Sequence, residues 1–170
     1  MEVLRQYFGF SSFREGQQTL IDAVLAGRDV LGVMPTGGGK SLCYELPALL
    51  LPGLTLVISP LISLMKDQVM ALQNAGIPAG CIHSAMSVEE LREAYRDTRF
   101  GAYKILYIAP ERLLTDGFCA LAQELEISLL AVDEAHCISQ WGQDFRPSYL
   151  KILDFLQKLP RRPAPAALTA

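Results

Sequence analysis

A glycine-rich turn has the composition of a phosphate-binding loop. Three consecutive glycines follow an apolar run, and a lysine and a serine come directly after them. Glycines let successive backbone N–H groups point into a turn and let a phosphate approach with no Cβ in the way. The amine of Lys40 can reach the β- and γ-phosphates of a nucleotide, and the hydroxyl of Ser41 can bind Mg²⁺. The residues predicted to hold the nucleotide here are Thr36, Gly37, Gly38, Gly39, Lys40 and Ser41.

One position departs from the general pattern for such loops. That pattern has glycine or alanine five residues before Gly39, where this chain has Met34. The alternative interpretation is a glycine-rich turn that contains Lys40 by coincidence. A strand pattern before the turn and a helix pattern after it form the context in which the motif indicates nucleotide binding. We therefore predict a nucleotide site despite the methionine.

An acidic pair follows a second apolar run, 129–132. Ligands of α/β sheets bind at the carboxyl ends of buried strands, although an acidic turn at a strand end is also common. We expect Asp133 to hold Mg²⁺ through water, and Glu134 to orient and deprotonate the attacking water. His136 is a candidate relay to neighbouring segments, whereas a lone histidine is more often structural. The predicted catalytic residues are Lys40, Asp133, Glu134 and His136, and the predicted Mg²⁺ ligands are Ser41 and Asp133.

The elements that must position these motifs alternate along the chain. Short apolar runs predict strands at 30–34, 54–58, 80–82, 105–108 and 129–132. Longer amphipathic stretches predict helices at 15–26, 40–50, 61–75, 88–98 and 149–158. Strands that are apolar throughout are typical of a parallel sheet with both faces covered. The predicted fold class is α/β, with a mostly parallel sheet covered by helices on both faces.

Local signals mark several boundaries. Ser87, followed by Glu90, predicts a capping box at the start of a helix. The proline-rich stretch 160–165 is incompatible with a helix and is predicted to be a loop, with another element beginning after it. Glycines that follow helical runs predict left-handed caps or turns at Gly27, Gly53, Gly76 and Gly101.

Composition limits the classes of function. A chain of 170 residues that is 51% hydrophobic and 19% charged suits one globular domain. The formal net charge of −3 gives no overall basic surface, so nucleic acid would have to bind a local patch. No secretory signal or membrane-length apolar run is present. The cysteines at 43, 81, 119 and 137 show no close pairing, which predicts reduced thiols and no zinc site.

Five motifs, taken in order, resemble those of the RecQ family of DNA helicases within helicase superfamily two. They are 34–44 (motif I, with the methionine), 57–68 (motif Ia), 107–113 (motif Ib), 133–136 (motif II) and 167–170 (motif III). In this family motif III couples hydrolysis to strand movement. Because the match runs across nearly the whole chain, the resemblance implies a RecA-like P-loop NTPase domain with ATP and Mg²⁺ as cofactors.

The segment 8–17 is similar to motif 0 of the same family. The resemblance implies that Gln17 reads the adenine edge, that Arg14 packs on the base and that Phe10 stacks on it. An amide offers adenine both a donor and an acceptor, and guanidinium planes stack on rings. The alternative is that the phenylalanines, above all Phe13, are core residues.

The segment 137–147 is similar to the aromatic-rich loop that follows motif II in this family. There Trp141 would stack on a single-stranded base and Arg146 would meet a phosphate. His136 would link the metal site to this loop. Polar side chains in motifs Ia and Ib suit backbone phosphates, although a solvated helix face explains any one of them. The predicted DNA-binding residues are Ser59, Ser63, Lys66, Arg112, Trp141, Phe145 and Arg146.

The resemblance implies a motor domain of an ATP-dependent 3′–5′ DNA helicase that acts in repair and recombination. The expected partners are single-stranded DNA, duplex junctions and a second RecA-like domain of the same parent chain, which supplies an arginine finger. We expect that second domain, a zinc module and a winged helix to lie outside residues 1–170, which would leave this chain poorly active alone. The compact motif set suggests a bacterial, cytoplasmic protein, or a nuclear one if it is eukaryotic.

Three alternatives remain at this stage. A small P-loop kinase would need an arginine-rich lid, whereas Arg92, Arg96 and Arg99 have the spacing of a solvated helix face. A module that only binds nucleic acid would not need both Lys40 and Glu134. An RNA helicase shares motif II, and only motif 0 and the loop around residue 141 favour DNA.

Overall fold

The computed structural model describes residues 2–138 and 147–170. The strands are β1 (Val30–Val33), β2 (Leu54–Ile58), β3 (Ala79–Ile82), β4 (Ile105–Ile108), β5 (Ile127–Val132) and β6 (Ala164–Thr169). The α-helices are α1 (Glu2–Phe8), α2 (Gln17–Leu25), α3 (Leu42–Leu50), α4 (Ile62–Asn74), α5 (Val88–Arg99), α6 (Asp116–Glu124) and α7 (Lys151–Lys158). Short 3₁₀ turns lie at Pro110–Arg112, Ala135–Ile138 and Pro147–Leu150.

All neighbouring strands are parallel, in the order β1-β6-β5-β2-β4-β3. One face of the sheet packs against α2, α3 and α4, and the other packs against α5, α6 and α7. Strands β2 and β4 are buried along their whole length, which explains why nearly every residue in them is apolar. The predicted α/β class and parallel sheet are confirmed.

The last strand corrects one prediction. Residues 160–165 were expected to form a loop, but Ala164 and Pro165 already belong to β6. A proline has no N–H for a neighbouring strand, which makes it rare inside a sheet. Here β1 pairs with β6 only from Ala166 onward, so Pro165 lies beyond the end of that ladder. The strand therefore tolerates the proline.

Two helices were not predicted, and several boundaries differ by one or two residues, among them the start of α3. Helix α1 buries Leu4 against residues of α2 and α3, and α6 buries Phe118 and Leu121 in the core. Both depend on contacts with distant segments. Helix α3 was expected to begin at Lys40, but it begins at Leu42, after a turn closed by the bond from Cys43 N to Lys40 O.

The capping box at the start of α5 is confirmed. The backbone N–H of Glu90 donates to the Ser87 hydroxyl at 3.2 Å, and the N–H of Ser87 donates to the Glu90 carboxylate at 2.7 Å. The four glycines predicted to cap or turn all have positive φ. These local signals depend on few residues, which is why the sequence is sufficient to find them.

Replacing Ser87 with alanine is expected to lower the free energy of unfolding by about 1 kcal/mol, because one N-terminal N–H of α5 loses its acceptor. Urea unfolding followed by circular dichroism measures the change. Glu89→Gln, at the exposed neighbouring position, is the control and should shift it by less than about 0.5 kcal/mol. Equal effects of the two substitutions would contradict the role of the cap.

The sheet has an open edge at β1. Leu31 and Val33 are 71% and 70% exposed, on the face opposite α2. Among residues 2–138 and 147–170, no helix has the length and apolar composition needed to cross a membrane. Cys43, Cys81 and Cys119 have free thiols, and Cys43 and Cys137 are buried.

Candidate functional site

The parallel sheet brings the sequence motifs to one edge. The phosphate loop follows β1, the acidic pair follows β5, and Thr169 ends β6, which lies between those two strands. The N–H of Asp133 still donates to the Ile58 carbonyl at 2.9 Å, so the acidic pair begins while β5 is held by β2. Parallel strands all present their carboxyl ends at the same edge, where α/β ligands bind.

The phosphate loop is closed by its own backbone. The N–H of Gly38 donates to the Pro35 carbonyl at 2.8 Å, which makes a tight turn ahead of Lys40. Gly37 and Gly39 have φ of 77° and 79°, a region that disfavours residues with a Cβ. The composition of the loop is thus explained by its backbone conformation, as the sequence suggested.

The four predicted catalytic residues lie together. Lys40 Nζ lies 3.5 Å from Glu134 Oε1, and His136 Nδ1 lies 3.2 Å from Glu134 Oε2. His136 Nδ1 also lies 2.9 Å from the Thr169 hydroxyl, so the end of β6 joins the same cluster. The carboxylate of Glu134 therefore connects the phosphate loop with the turn after β5. Through His136, the same contacts extend to the end of β6. Thr169 lies in the stretch identified as motif III, but its individual role was not predicted.

Glu134 adopts an uncommon backbone conformation. Within residues 2–138 and 147–170 it is the non-glycine residue with positive φ, at 51°. Such a conformation costs on the order of 1–3 kcal/mol and tends to occur at functional sites. Its N–H donates to Asp133 Oδ1 at 3.0 Å, which holds the two carboxylates in different directions. The turn thus directs Glu134 toward Lys40.

Asp133 is nearly buried, with 7% of its surface exposed. Burial raises the pKa of its carboxyl, and the negative charge of Glu134 raises it further; the N–H of Glu134 and the charge of Lys40 act in the opposite direction. The Tyr149 hydroxyl donates to the backbone carbonyl of Asp133 at 3.0 Å. Because burial disfavours the ionised form of this carboxyl, a cation bound beside it would stabilise that form, which makes Asp133 a favourable ligand.

The donor set fits Mg²⁺ bound together with a nucleotide. In the part of the chain that is described, no group of three or more His, Cys, Asp or Glu side chains is placed to hold a metal by itself. Mg²⁺ at phosphate sites needs only one or two protein ligands, with phosphates and water completing its shell. The Ser41 hydroxyl and the Asp133 carboxylate are groups of that kind.

A cavity of about 350 Å³ lies beside the phosphate loop. The residues predicted to bind the base, Phe10, Arg14 and Gln17, all line this cavity. Phe10 is 50% exposed. Phe13 lines the cavity and also packs on the cluster of Leu4, Ile21, Leu42 and Leu46, so the expected core role is partly correct. The residues that line the cavity are Gly9, Phe10, Ser11, Ser12, Phe13, Arg14, Gln17, Gly39 and Leu42.

Gln17 contacts the phosphate loop directly. Its Oε1 accepts the N–H of Arg14 at 2.7 Å, and its Nε2 donates to the carbonyls of Gly38 and Gly39 at 3.3 and 3.1 Å. The guanidinium of Arg14 donates to the Gly37 carbonyl. Both ends of the Gln17 amide are therefore bonded within the chain, and reading of adenine by this residue stays a prediction.

Gly39→Ala is expected to destabilise the nucleotide-free chain by about 2 kcal/mol. About half comes from the left-handed backbone. The rest comes from the hydrogen bonds to the loop carbonyls that Gln17 Nε2 loses when it moves away from the new Cβ. Gly37→Ala is a matched control, because φ there is similar and no atom of the described residues lies within 4 Å of a new Cβ. Urea unfolding of both variants measures the difference, and equal losses would exclude a role for the Gln17 contact.

The predicted DNA contacts are distributed unevenly. Ser63 and Lys66 are exposed on α4, and Arg112 is half-buried at the 3₁₀ turn after β4. Ser59 is fully buried, and its hydroxyl has no hydrogen-bond partner among the described residues, so the structure does not present it to DNA. The other predicted contacts, Trp141, Phe145 and Arg146, lie outside the described residues.

The sequence did not identify two buried polar residues beneath the site. Glu45 on α3 is 6% exposed, and its carboxylate accepts a hydrogen bond from the Tyr107 hydroxyl. A single carboxylate within an otherwise apolar helix was the available signal. Tyr107 is not distinguishable from an apolar strand residue until the register of β4 is known.

Comparison with known proteins gives one family and a set of relatives. The family described as DEAD/DEAH box helicase matches residues 14–170. The chain is 52% identical over 169 residues to the ATP-dependent DNA helicase RecQ of Bacillus subtilis, covering 99% of this chain and 29% of that protein. It is 49% identical over 170 residues to RecQ of Haemophilus influenzae, covering 100% of this chain and 27% of that protein. The chain thus spans less than a third of these relatives.

Solved structures share the fold. The DUF1998 helicase MrfA, solved with DNA, gives a TM-score of 0.79 at 19% identity and covers 99% of this chain and 26% of that chain. A hypothetical ATP-dependent RNA helicase from Sulfolobus tokodaii gives 0.76 at 23% identity and covers 99% of this chain and 49% of that chain. At such identities the likeness concerns the fold alone, and it confirms the expected RecA-like architecture.

Proposed function

Because this chain belongs to the DEAD/DEAH box helicase family, we propose that it is the ATP-binding motor domain of a RecQ-type DNA helicase. One observation supports this proposal above the others. Lys40, Glu134 and His136 meet at the edge of the sheet, with Thr169 of β6 in the same cluster. In this proposal Lys40 is the phosphate-binding amine and Glu134 the general base, and both lie close to a strand end that can respond to changes elsewhere in the protein.

The residues divide the work of ATP hydrolysis between them. Backbone N–H groups of the phosphate loop and Lys40 bind the phosphates, and the γ-phosphate takes the place of Glu134 beside Lys40. Glu134 then accepts a proton from the attacking water. Ser41 and Asp133 would hold Mg²⁺, which when bound would neutralise charge on the phosphate oxygens. The neighbouring His136 holds the carboxylate of Glu134 in position.

The cavity beside the loop is the proposed site for the base. Phe10 is exposed enough to stack on a ring, and Arg14 lies at the rim of the cavity next to Gly37. For Gln17 to read adenine, its amide must exchange a loop carbonyl for the base. Binding of the base in the cavity would then change the hydrogen bonds of the phosphate loop.

DNA is the proposed partner of the surface formed by α4 and the turn after β4. Ser63 and Lys66 are exposed on α4, and Arg112 is half-buried in the turn after β4. Trp141, Phe145 and Arg146 are further proposed contacts, outside the described residues. The relatives are named as ATP-dependent DNA helicases, which supports DNA over RNA. Repair, recombination and 3′–5′ movement belong to the same proposal, which places the protein with the DNA in the bacterial cytoplasm or a eukaryotic nucleus.

A second RecA-like domain is the other proposed partner. The relatives are more than three times as long as the matched region. An arginine from that domain would stabilise charge on the γ-phosphate, an effect of about 10³–10⁵ in rate. We therefore expect the 170-residue chain alone to bind nucleotide and to turn it over slowly.

The test uses the full-length protein and its Lys40→Ala variant. ATP hydrolysis is measured without nucleic acid, with single-stranded DNA and with single-stranded RNA, and unwinding is measured on duplexes with a 3′ or a 5′ tail. In the unaltered protein we expect DNA to stimulate ATP hydrolysis and the 3′-tailed duplex to be unwound. We expect Lys40→Ala to show neither stimulated hydrolysis nor unwinding. Stimulation by RNA alone would favour an RNA helicase, and transfer of phosphate to a small acceptor would favour a kinase.

A further inference from the structure

A buried carboxyl on α3 has no part in the proposed mechanism. Glu45 is 6% exposed, and its Oε1 accepts a hydrogen bond from the Tyr107 hydroxyl at 3.2 Å. Tyr107 lies on β4 and is completely buried. This bond joins the helix that follows the phosphate loop to β4, an interior strand of the sheet.

A third polar group extends the connection. The hydroxyls of Tyr44 and Tyr107 lie 3.4 Å apart, and Tyr44 is completely buried. The surrounding cluster is otherwise apolar, with Val57 and Met65 among its members. Polar groups in such a core destabilise it unless they are bonded, and a bonded set allows only one relative placement of the elements it joins. We refer to Tyr44, Glu45 and Tyr107 as the α3–β4 clasp.

The clasp lies between two functional segments. On one side, the N–H groups of Tyr44 and Glu45 donate to the Ser41 carbonyl at 3.1 and 2.9 Å, so the clasp residues are bonded to the end of the phosphate loop. On the other side, β4 continues into the 3₁₀ turn that holds Arg112, whose N–H donates to the Ala109 carbonyl at 2.9 Å. The clasp is therefore a bonded connection between the end of the phosphate loop and the strand that leads into this turn.

We propose that Glu45 and Tyr107 are positioning residues, which tie the phosphate loop to the DNA-facing turn Pro110–Arg112 and so let DNA accelerate ATP hydrolysis. This inference rests on the proposed function. Neither residue touches nucleotide or DNA. Their bond fixes the position of α3 relative to β4. It thereby fixes the positions of Ser41 and Lys40 when DNA binds the turn Pro110–Arg112.

The test is made in the full-length protein with three variants. Tyr107→Phe removes the donor, Glu45→Met removes the acceptor at similar volume, and Glu45→Gln keeps an acceptor. ATP turnover is measured with and without saturating single-stranded DNA, together with KM for ATP and the thermal midpoint. We expect the first two variants to lose about fivefold or more of the DNA stimulation, while DNA-free turnover and KM stay within about twofold. Glu45→Gln should retain the stimulation.

A control separates positioning from general loss of stability. Thr98→Val removes another buried hydroxyl, whose bond to the Ala94 carbonyl lies within α5. We expect this variant to keep full stimulation, and the double variant Glu45→Met/Tyr107→Phe to lose no more than either single one. Equal losses in Thr98→Val, or full stimulation in Tyr107→Phe, would overturn the inference alone. Absence of stimulation in the unaltered protein would refute the proposed function and the inference together.

Discussion

Glu134→Gln is expected to lower ATP turnover by about 10²–10⁴-fold while nucleotide binding is retained. Glutamine keeps the size of the side chain and one oxygen, but it cannot take a proton from water. It also removes the negative charge that lies 3.5 Å from Lys40 Nζ in the nucleotide-free site. Lys40 is then no longer paired before the phosphates arrive, so affinity for ATP should be equal or slightly higher.

Turnover and binding are measured separately in the full-length protein, by phosphate release at saturating DNA and by titration with a fluorescent ATP analogue. Glu89→Gln, an exposed glutamate on α5, is the control for loss of one carboxylate. We expect the control to match the unaltered protein in both assays. If Glu134→Gln retained turnover within tenfold, the general-base assignment would be wrong.

Glu45→Gln is expected to stabilise the protein at pH 8 by about 3 kcal/mol and to have little effect near pH 4. Burial raises the pKa of Glu45 from its usual 4.5 to about 7; the hydrogen bond from Tyr107 lowers it in part, and the charge of Asp133 raises it. The native state therefore binds this proton more tightly than the unfolded state does. Stability from the protonated form is present below pH 4.5 and is lost as pH rises through 7.

Urea unfolding of this chain and its variant at pH 4, 6 and 8 measures the effect. The comparison removes most of the contribution from Asp133, because that carboxyl is present in both proteins and burial, the main cause of its raised pKa, is the same in both. The difference in the free energy of unfolding should grow with pH and level off above 7, close to the pKa of Glu45. A difference that is the same at every pH would show that Glu45 is not protonated by burial.

Most of the strands and the convergence of the motifs could be predicted from the sequence. Fully buried parallel strands such as β2 and β4 need apolar residues at every position, so they are visible as short runs. Once the sheet is parallel, the motifs that follow β1 and β5 must share an edge. The capping box of α5 and the glycine turns depend on neighbours in sequence, and they too were predicted correctly.

Other features depend on contacts between distant segments. Strand β6 lies between β1 and β5, and only the completed sheet defines that position. In the sequence, Pro165 indicated a loop and not a strand. The bonds from Gln17 to the loop carbonyls and the positive φ of Glu134 arise from tertiary constraints. The burial of Ser59 has the same origin, since a serine at a strand end gives no sign of which face it occupies.

The open edge at β1 has a practical consequence. An edge strand offers unpaired N–H and C=O groups to any other extended chain, and exposed apolar side chains on it favour such pairing. Leu31 and Val33 give β1 that character, and its four residues have no charge among them. In a concentrated solution of this chain by itself, strand-to-strand aggregation would therefore begin at β1. A lysine at position 31 is the substitution that would keep such a preparation monodisperse.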